Sequence, residues 1–248
     1  CGAGIVVVPD RPEDTEYAKQ KADEIYDFVW ARHQQFHFTG NASEPEEALR
    51  AMLEFDGSPC FLSDSGDNVT AGAPGVNTAM LKQVLALNDF HNKSILFAAI
   101  CDPQLCATVL AHKKAGEPVT LTLGAKLDAH SAPVSISGTV ISTGNLHRRY
   151  GDEAVAGQCW TVKLDNVPVT VVIASAAVSF SEREQYEKAN VDLDGYDLII
   201  VKQGYLYPEL KAMAKHYVMA LTDGACMQRT ERLVYKKVSR PIYPLDEI

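Results

Sequence analysis

The sequence predicts an α/β fold, a mostly parallel sheet flanked by helices with an antiparallel β insert. Three observations lead to it. Lys93–Ala99 and Leu198–Lys202 are apolar runs without alternation, the pattern of strands covered on both faces. Stretches of helical periodicity separate such runs, as strand–helix units do. Between about residues 118 and 175, Val- and Thr-rich strands follow one another across short turns, which reads as an antiparallel ribbon.

In chain order, Ile5–Pro9 is a β-branched run ending at a proline, and it predicts a strand. Arg11-Pro-Glu-Asp14 opens a helix with acids in its first turn, where the helix dipole favours them. Ala18, Ala22, Ile25, Phe28 and Val29 carry its apolar period to about His33. Ser43, with a Glu three residues on, opens a second helix, Glu47–Leu53. Residues 1–56 thus read as strand, helix, helix, too few strands to close a core. They are expected to be the end of an upstream domain, with residues 57–248 as the second. Pro59–Leu62 begins that part as a strand, and a helix is expected from near Pro74 to Asn88. Asp102-Pro-Gln starts a helix, with Asp102 as cap and proline in the first position. Pro118–Leu123, Val134–Ser142, Cys159–Leu164 and Pro168–Ala174 are the strands of the insert, with Thr143-Gly-Asn145 as one of its turns. A helix from Tyr207 to about His216 and a strand Tyr217–Leu221 complete the pattern, and the proline-rich tail Arg240–Asp246 is expected to lie on the surface as a strap.

Between the strand Pro59–Leu62 and the helix after it runs Asp64-Ser-Gly-Asp-Asn-Val-Thr-Ala-Gly-Ala-Pro-Gly-Val-Asn-Thr78. Open α/β sheets place ligands at the carboxyl ends of their strands, and helix starts present unpaired N–H groups. Asp64, Asp67 and Asn68 supply carboxylate and amide groups there, and Gly66, Gly72 and Gly75 let the backbone come close to a ligand. The same residues also suit a long polar turn capped by Asp67 or Asn68. No phosphate-loop or dinucleotide spacing is present.

Composition narrows the function. Net charge is −9 and no basic run exceeds a pair such as Lys236-Lys237, so nucleic acid is not an expected partner. The longest apolar runs, such as Val169–Ala177, are too short to span a bilayer, and no signal peptide is expected. Six cysteines form no CxxC pair, and Cys60, Cys101 and Cys159 lie in apolar contexts, the usage of a reducing compartment; cytoplasm is expected. The chain opens at Cys1 without a methionine, either as a piece of a longer chain or cut at that point. An N-terminal Cys beside its own amine could serve as a processed nucleophile.

Four motifs occur in an order similar to that of the MlrC-like (microcystinase C) metallopeptidases. Asp67-Asn68, then Gly72-Ala-Pro-Gly75 and Thr78, resembles the loop opening that family's C-terminal domain. Leu123-Gly-Ala-Lys-Leu-Asp-Ala-His130, then Ala132-Pro-Val134, resembles a second segment. Val201-Lys202 resembles a strand end, and Tyr235 with Arg240-Pro-Ile-Tyr-Pro-Leu-Asp246 resembles the closing segment. The block from Cys1 to Ala31 resembles the end of the family's N-terminal domain. The loop departs from the family at Val69-Thr70-Ala71, and Ala176-Ala177 stands where the family often carries an arginine pair.

The resemblance implies a zinc-dependent amide or peptide hydrolase whose ligands lie mainly upstream, with the missing N-terminal half and a small peptide or amide as partners, and a homo-oligomer as a further expectation. Asp67, Asn68 and His130 are the expected catalytic residues, with Gly72, Ala73, Pro74, Gly75 and Lys202 as substrate-binding residues. No metal ligand is assigned in this chain. Asp128-Ala-His130 lacks a second His at useful spacing. His33 and His37, at i and i+4, could bind a metal on one helix face or sit at a solvated helix end. Two other readings stay open: a self-processed hydrolase with Cys1 as nucleophile, and a non-enzymatic assembly domain pairing through strand edges of the insert.

Overall fold

A computed structural model of the chain describes residues 4–124, 130–149 and 154–248. It divides into two compact units, residues 1–39 and 40–248.

In the first unit, a 3-10 turn at Pro12–Asp14 leads into helix α1, Thr15–Trp30. Ile5–Pro9 does not form the expected strand. A strand requires a neighbour to take its N–H and C=O groups, and Val6 and Val8 are exposed instead, at 86% and 82%. Ala18 is the one buried residue of α1, and Tyr17, Ile25, Tyr26, Phe28 and Trp30 are exposed.

In the second unit, among the described residues, strands β1 (Ala42–Ser43), β2 (Cys60–Asp64), β3 (Ile95–Cys101), β4 (Pro118–Leu123), β5 (Val134–His147), β6 (Val155–Leu164), β7 (Val169–Ala174), β8 (Leu198–Val201) and β9 (His216–Ala220) form one sheet. Its order is β1-β9-β2-β8-β3-β7-β6-β5-β4. Pairing is parallel from β1 to β7 and antiparallel from β7 to β4. Because β7 lies parallel beside β3, the antiparallel ribbon extends the main sheet.

The unalternating strands are buried on both faces, as their composition requires. Cys60, Leu62, Ile95 and Phe97 face one core, with Leu49 and Met52 of α2 (Pro45–Glu54) and Leu81 and Val84 of α3 (Ala79–Leu85). Cys106 of α4 (Pro103–Thr108) joins the same core. Phe61, Leu96 and Ile199 face the other, with Tyr186 of α5 (Arg183–Lys188) and Leu210 of α6 (Pro208–Met213). The ribbon's outer strand alternates instead: Val119, Leu121 and Leu123 point inward, while Thr120 and Thr122 meet Ser137 and Ser135 across the outer face at 3.0 and 3.1 Å.

One further local expectation differs from the structure, and one helix was not expected. Thr143-Gly-Asn145 lies within β5 rather than in a turn; a Cβ at Gly144 would meet the Ala189 backbone at 2.2 Å, so glycine serves close approach there. Helix α5 has no apolar period to announce it; Gln185 fixes its start, accepting from the backbone N–H groups of Ser181 (2.7 Å) and Glu182 (3.1 Å).

Tyr186 is fully buried, and its hydroxyl has no hydrogen-bond partner among the described residues. Removing a buried unpaired hydroxyl relieves its desolvation cost. Tyr186→Phe is therefore expected to leave stability unchanged or raise it by about 1 kcal/mol in urea unfolding. A comparable loss would reveal a partner for the hydroxyl.

Candidate functional site

The C-terminal ends of β2, β8 and β9 meet at a buried ammonium. Lys202, directly after β8, donates to Asp64 Oδ2 at 2.9 Å and to the Asn77 carbonyl at 2.7 Å, and its Nζ lies 2.9 Å from Asp67 Oδ2. A lysine has three N–H donors, and this one directs all three to protein acceptors. Asp64 accepts in addition from the Thr222 hydroxyl, just after β9, at 2.5 Å, and Thr222 accepts from the Gly66 amide at 2.7 Å. Asp64, Asp67 and Lys202 are each at most 5% exposed. Burial alone would push the Lys202 ammonium below its ordinary range, but the two carboxylates beside it outweigh that and raise it.

Asp67 also determines where α3 begins. Its Oδ1 accepts from the Gly75 amide at 2.9 Å and its Oδ2 from the Asn77 amide at 2.7 Å. These amides would otherwise start a helix near Pro74. With them committed, residues 74–78 stay irregular and α3 starts only at Ala79. Gly75 takes a φ of +75°, and a Cβ there would press on Val69 Cγ2 at 2.9 Å. Amides of this turn, expected to bind substrate, are engaged inside the loop: Gly72 N–H bonds Val69 O, and Ala73 N–H bonds Asn68 O, both at 3.1 Å. Asn68 is 8% exposed, and its Oδ1 accepts from the Thr70 amide (3.0 Å) and hydroxyl (2.6 Å). Ala73 is buried and Pro74 exposed.

Two cavities border this knot. One, of about 180 Å³, is lined by His130, Ala79, Thr222, Asp223 and Arg232 among others. His130 is carried there by its neighbours. Ser131 Oγ accepts from the Thr78 amide at 3.2 Å, and the Thr78 hydroxyl donates to Ala132 O at 2.5 Å. The second, of about 240 Å³, takes Val69 and Thr70 from the loop and Arg148 and Arg149 from the end of β5. Asp67 and Lys202 thus form the buried knot, His130 lines the cavity beside Thr222, and the loop faces open space through Val69 and Thr70. Thr222, Asn77, Asp223, Arg232 and the arginine pair were not foreseen. The available signal was a polar residue at the end of each fully apolar strand.

The described residues do not fit a metal. No three His, Cys, Asp or Glu among them converge to hold one. His33 and His37 do not share a helix face, because α1 ends at Trp30; His33 Nδ1 lies 2.6 Å from Trp30 O and His37 Nδ1 3.0 Å from Gln35 O. Cys1 and Asp128 lie outside the described residues. Burial pushes the Cys101 thiol up to about 11 and the Cys159 thiol up to about 12, so both act as small apolar side chains at neutral pH. No helix among the described residues is long and apolar enough to cross a membrane.

Breaking a buried ion pair by removing one partner costs about 3–5 kcal/mol. Lys202→Met is expected to lose that much in urea unfolding, and a loss below about 1 kcal/mol would contradict the knot. Because the folded Lys202 is raised above the unfolded lysine value of about 10.4, its contribution is complete below that pH. It is lost only as pH climbs through the folded value, so the wild-type excess over Lys202→Met should persist through neutral pH and shrink in strong alkali.

The family model of the MlrC C-terminus matches residues 62–237. A crystal structure from Mesorhizobium sp. BNC1, of a protein provisionally named a metallopeptidase, superposes with a TM-score of 0.74 at 20% identity. The match covers 93% of this chain and 46% of that one, so the chain spans under half the length of the structure it matches. At that identity the likeness is one of fold. No curated protein matches the sequence. With most of its length matched by the family model, and with the family's loop, strand-end lysine and His130 segment gathered at one sheet edge, the chain belongs to the MlrC family through its C-terminal region.

Proposed function

We propose that the chain is the C-terminal part of a cytoplasmic, zinc-dependent peptide or amide hydrolase and forms one wall of its cleft. The observation that carries this reading is the convergence of His130, Asp223, Arg232 and Thr222 around one cavity at the carboxyl edge of β2 and β9, where open α/β sheets hold their ligands. The family membership and the fold shared with a protein provisionally named a metallopeptidase support it. Zinc would be held by groups outside the described residues, since those present do not fit it.

In this reading the chain's own residues divide the work. Asp67 and Lys202 position the loop and do not touch substrate, because their polar atoms are engaged in the knot. Asn68 sets the turn that presents Val69 and Thr70. His130, exposed at its cavity, transfers a proton to or from the reacting amide. The upstream half of the same protein is the expected partner. Val6, Val8, Tyr17, Phe28 and Phe36 in residues 4–39 are exposed apolar side chains that such a segment would cover.

The test uses the full-length protein, including the upstream half, loaded with zinc and assayed on short peptides. His130→Ala is expected to lower kcat by roughly 10²–10⁴-fold with KM little changed. Wild-type kcat in this variant, with hydrolysis still abolished by chelation, would remove His130 from the reaction.

A further inference from the structure

A threonine just before a helix ordinarily turns its hydroxyl to the helix and accepts from an amide of the first turn. Thr78, at the start of α3, does not. Its side chain caps no amide of α3, and Asn77 Oδ1 accepts from the Ala79 amide at 2.8 Å instead. The Thr78 hydroxyl, on a fully buried residue, turns to the segment that carries His130. It donates its one hydrogen to Ala132 O at 2.5 Å. The Ser131 hydroxyl is then the donor across the 2.9 Å between the two side-chain oxygens, with the Val76 carbonyl farther off at 3.5 Å. The Thr78 amide donates back to Ser131 Oγ at 3.2 Å. Three hydrogen bonds thus join a helix start to the two residues after His130, 53 and 54 positions along the chain. Gly124, directly after β4, leaves room for them: its φ is +74°, and a Cβ there would stand 2.6 Å from both the Thr78 and the Ser131 oxygens.

The preceding residue holds another part of the same cavity. Asn77 Nδ2 donates to the Asp223 carbonyl at 3.2 Å, and Asp223 lines the cavity with His130. Asn77 is itself fixed by the knot, its amide donating to Asp67 Oδ2 and its carbonyl accepting from Lys202, each at 2.7 Å. Two consecutive residues therefore reach from the buried ion pair to both His130 and Asp223. His130 is exposed, whereas the two residues after it are tied down by Thr78. A group that transfers a proton must stand in the right place, and a misplacement of about 1 Å can cost roughly 10²-fold in rate.

We infer that Thr78 is a positioning residue for His130: its hydroxyl and amide hold Ser131 and Ala132, and through them set where the imidazole stands in the cavity it shares with Asp223 and Arg232. That this placement serves a proton transfer rests on the hydrolase reading; the placement itself does not. Valine has the shape of threonine without its oxygen, so Thr78→Val removes two of the three bonds. Serine keeps all three, because each uses only the hydroxyl or the backbone.

Two measurements test the assignment, one of them without catalysis. In the intact chain, in chelator, NMR reads the imidazole Cε1–H signal of His130, identified by its loss in His130→Ala. Thr78→Val is expected to shift or broaden that signal, Ser131→Ala to do so less, and Thr78→Ser to return it to the wild-type position. In the zinc-loaded full-length protein, assayed on short peptides, Thr78→Val is expected to lower kcat roughly ten- to a hundredfold with KM little changed, and Thr78→Ser to restore it. In the His130→Ala background Thr78→Val should cost nothing further, because the group it places is gone. A wild-type His130 signal in Thr78→Val, a Thr78→Ser protein as impaired as Thr78→Val, or the same loss of kcat with and without His130 would each overturn the assignment. Ser131→Ala keeps the Thr78–Ala132 bond and decides the matter if Thr78→Val fails to fold: an unchanged His130 signal there would overturn it. A full-length protein that hydrolyses no peptide would remove the proposed function, while the NMR signal would still decide the placement.

Discussion

A charged ammonium placed almost out of reach of water dictates the arrangement around it. Taking an unpaired ion into a protein interior costs several kcal/mol, so Lys202 can be buried only where acceptors surround it. It finds them along the single stretch that links β2 to α3: Asp64 at the end of β2, Asp67 in the loop and the Asn77 carbonyl before α3. Thr222 closes the ring from β9. The sheet brings these strand ends side by side, and the charge then demands one particular path for the loop between them. Hydrophobic burial on both faces of β2, β3 and β8 makes the sheet, and the polar knot at its edge specifies how the chain leaves it.

That path has consequences for chemistry. A glycine-bearing loop at a strand's end ordinarily offers amide donors to a ligand, but here Asp67 and neighbouring carbonyls consume them. What the loop offers instead is a rigid surface, with Val69 and Thr70 on one side and the Thr78–Ser131 clamp that carries His130 on the other. The same network that removes Lys202 and Asp67 from contact with a substrate keeps two cavities open beside them. The division fits the role proposed for this chain, one wall of a cleft.

The strands were legible because their signals are local. Ile95–Ala99 and Leu198–Val201 are apolar throughout, and the Asp102-Pro start of α4 shows the foreseen cap, Asp102 accepting from the Leu105 amide at 2.9 Å. That the strand's end carries a polar cluster was legible too, from its acids and glycines. Other features depended on partners distant in sequence. Lys202 reads as a solvated strand-end lysine until β2 is placed next to β8. The start of α3 moved five residues because a carboxylate eight positions earlier took the Gly75 amide. Thr143-Gly-Asn145 has turn composition, and only the passage of Ala189 explains why glycine stands in a strand. Arg148 and Arg149 fall at the end of β5, beyond the point where its alternating pattern was followed.

The central claim, that Asp67 held by Lys202 locks the loop, is tested most directly by native-state amide hydrogen exchange at Gly75 and Asn77. Both amides donate to Asp67 beneath the surface, so they should exchange only through the unfolding that also releases the core strands, with protection matching that of β2 and β8. Fast exchange at these two positions, at the rate of an exposed loop while β2 and β8 stay protected, would contradict it.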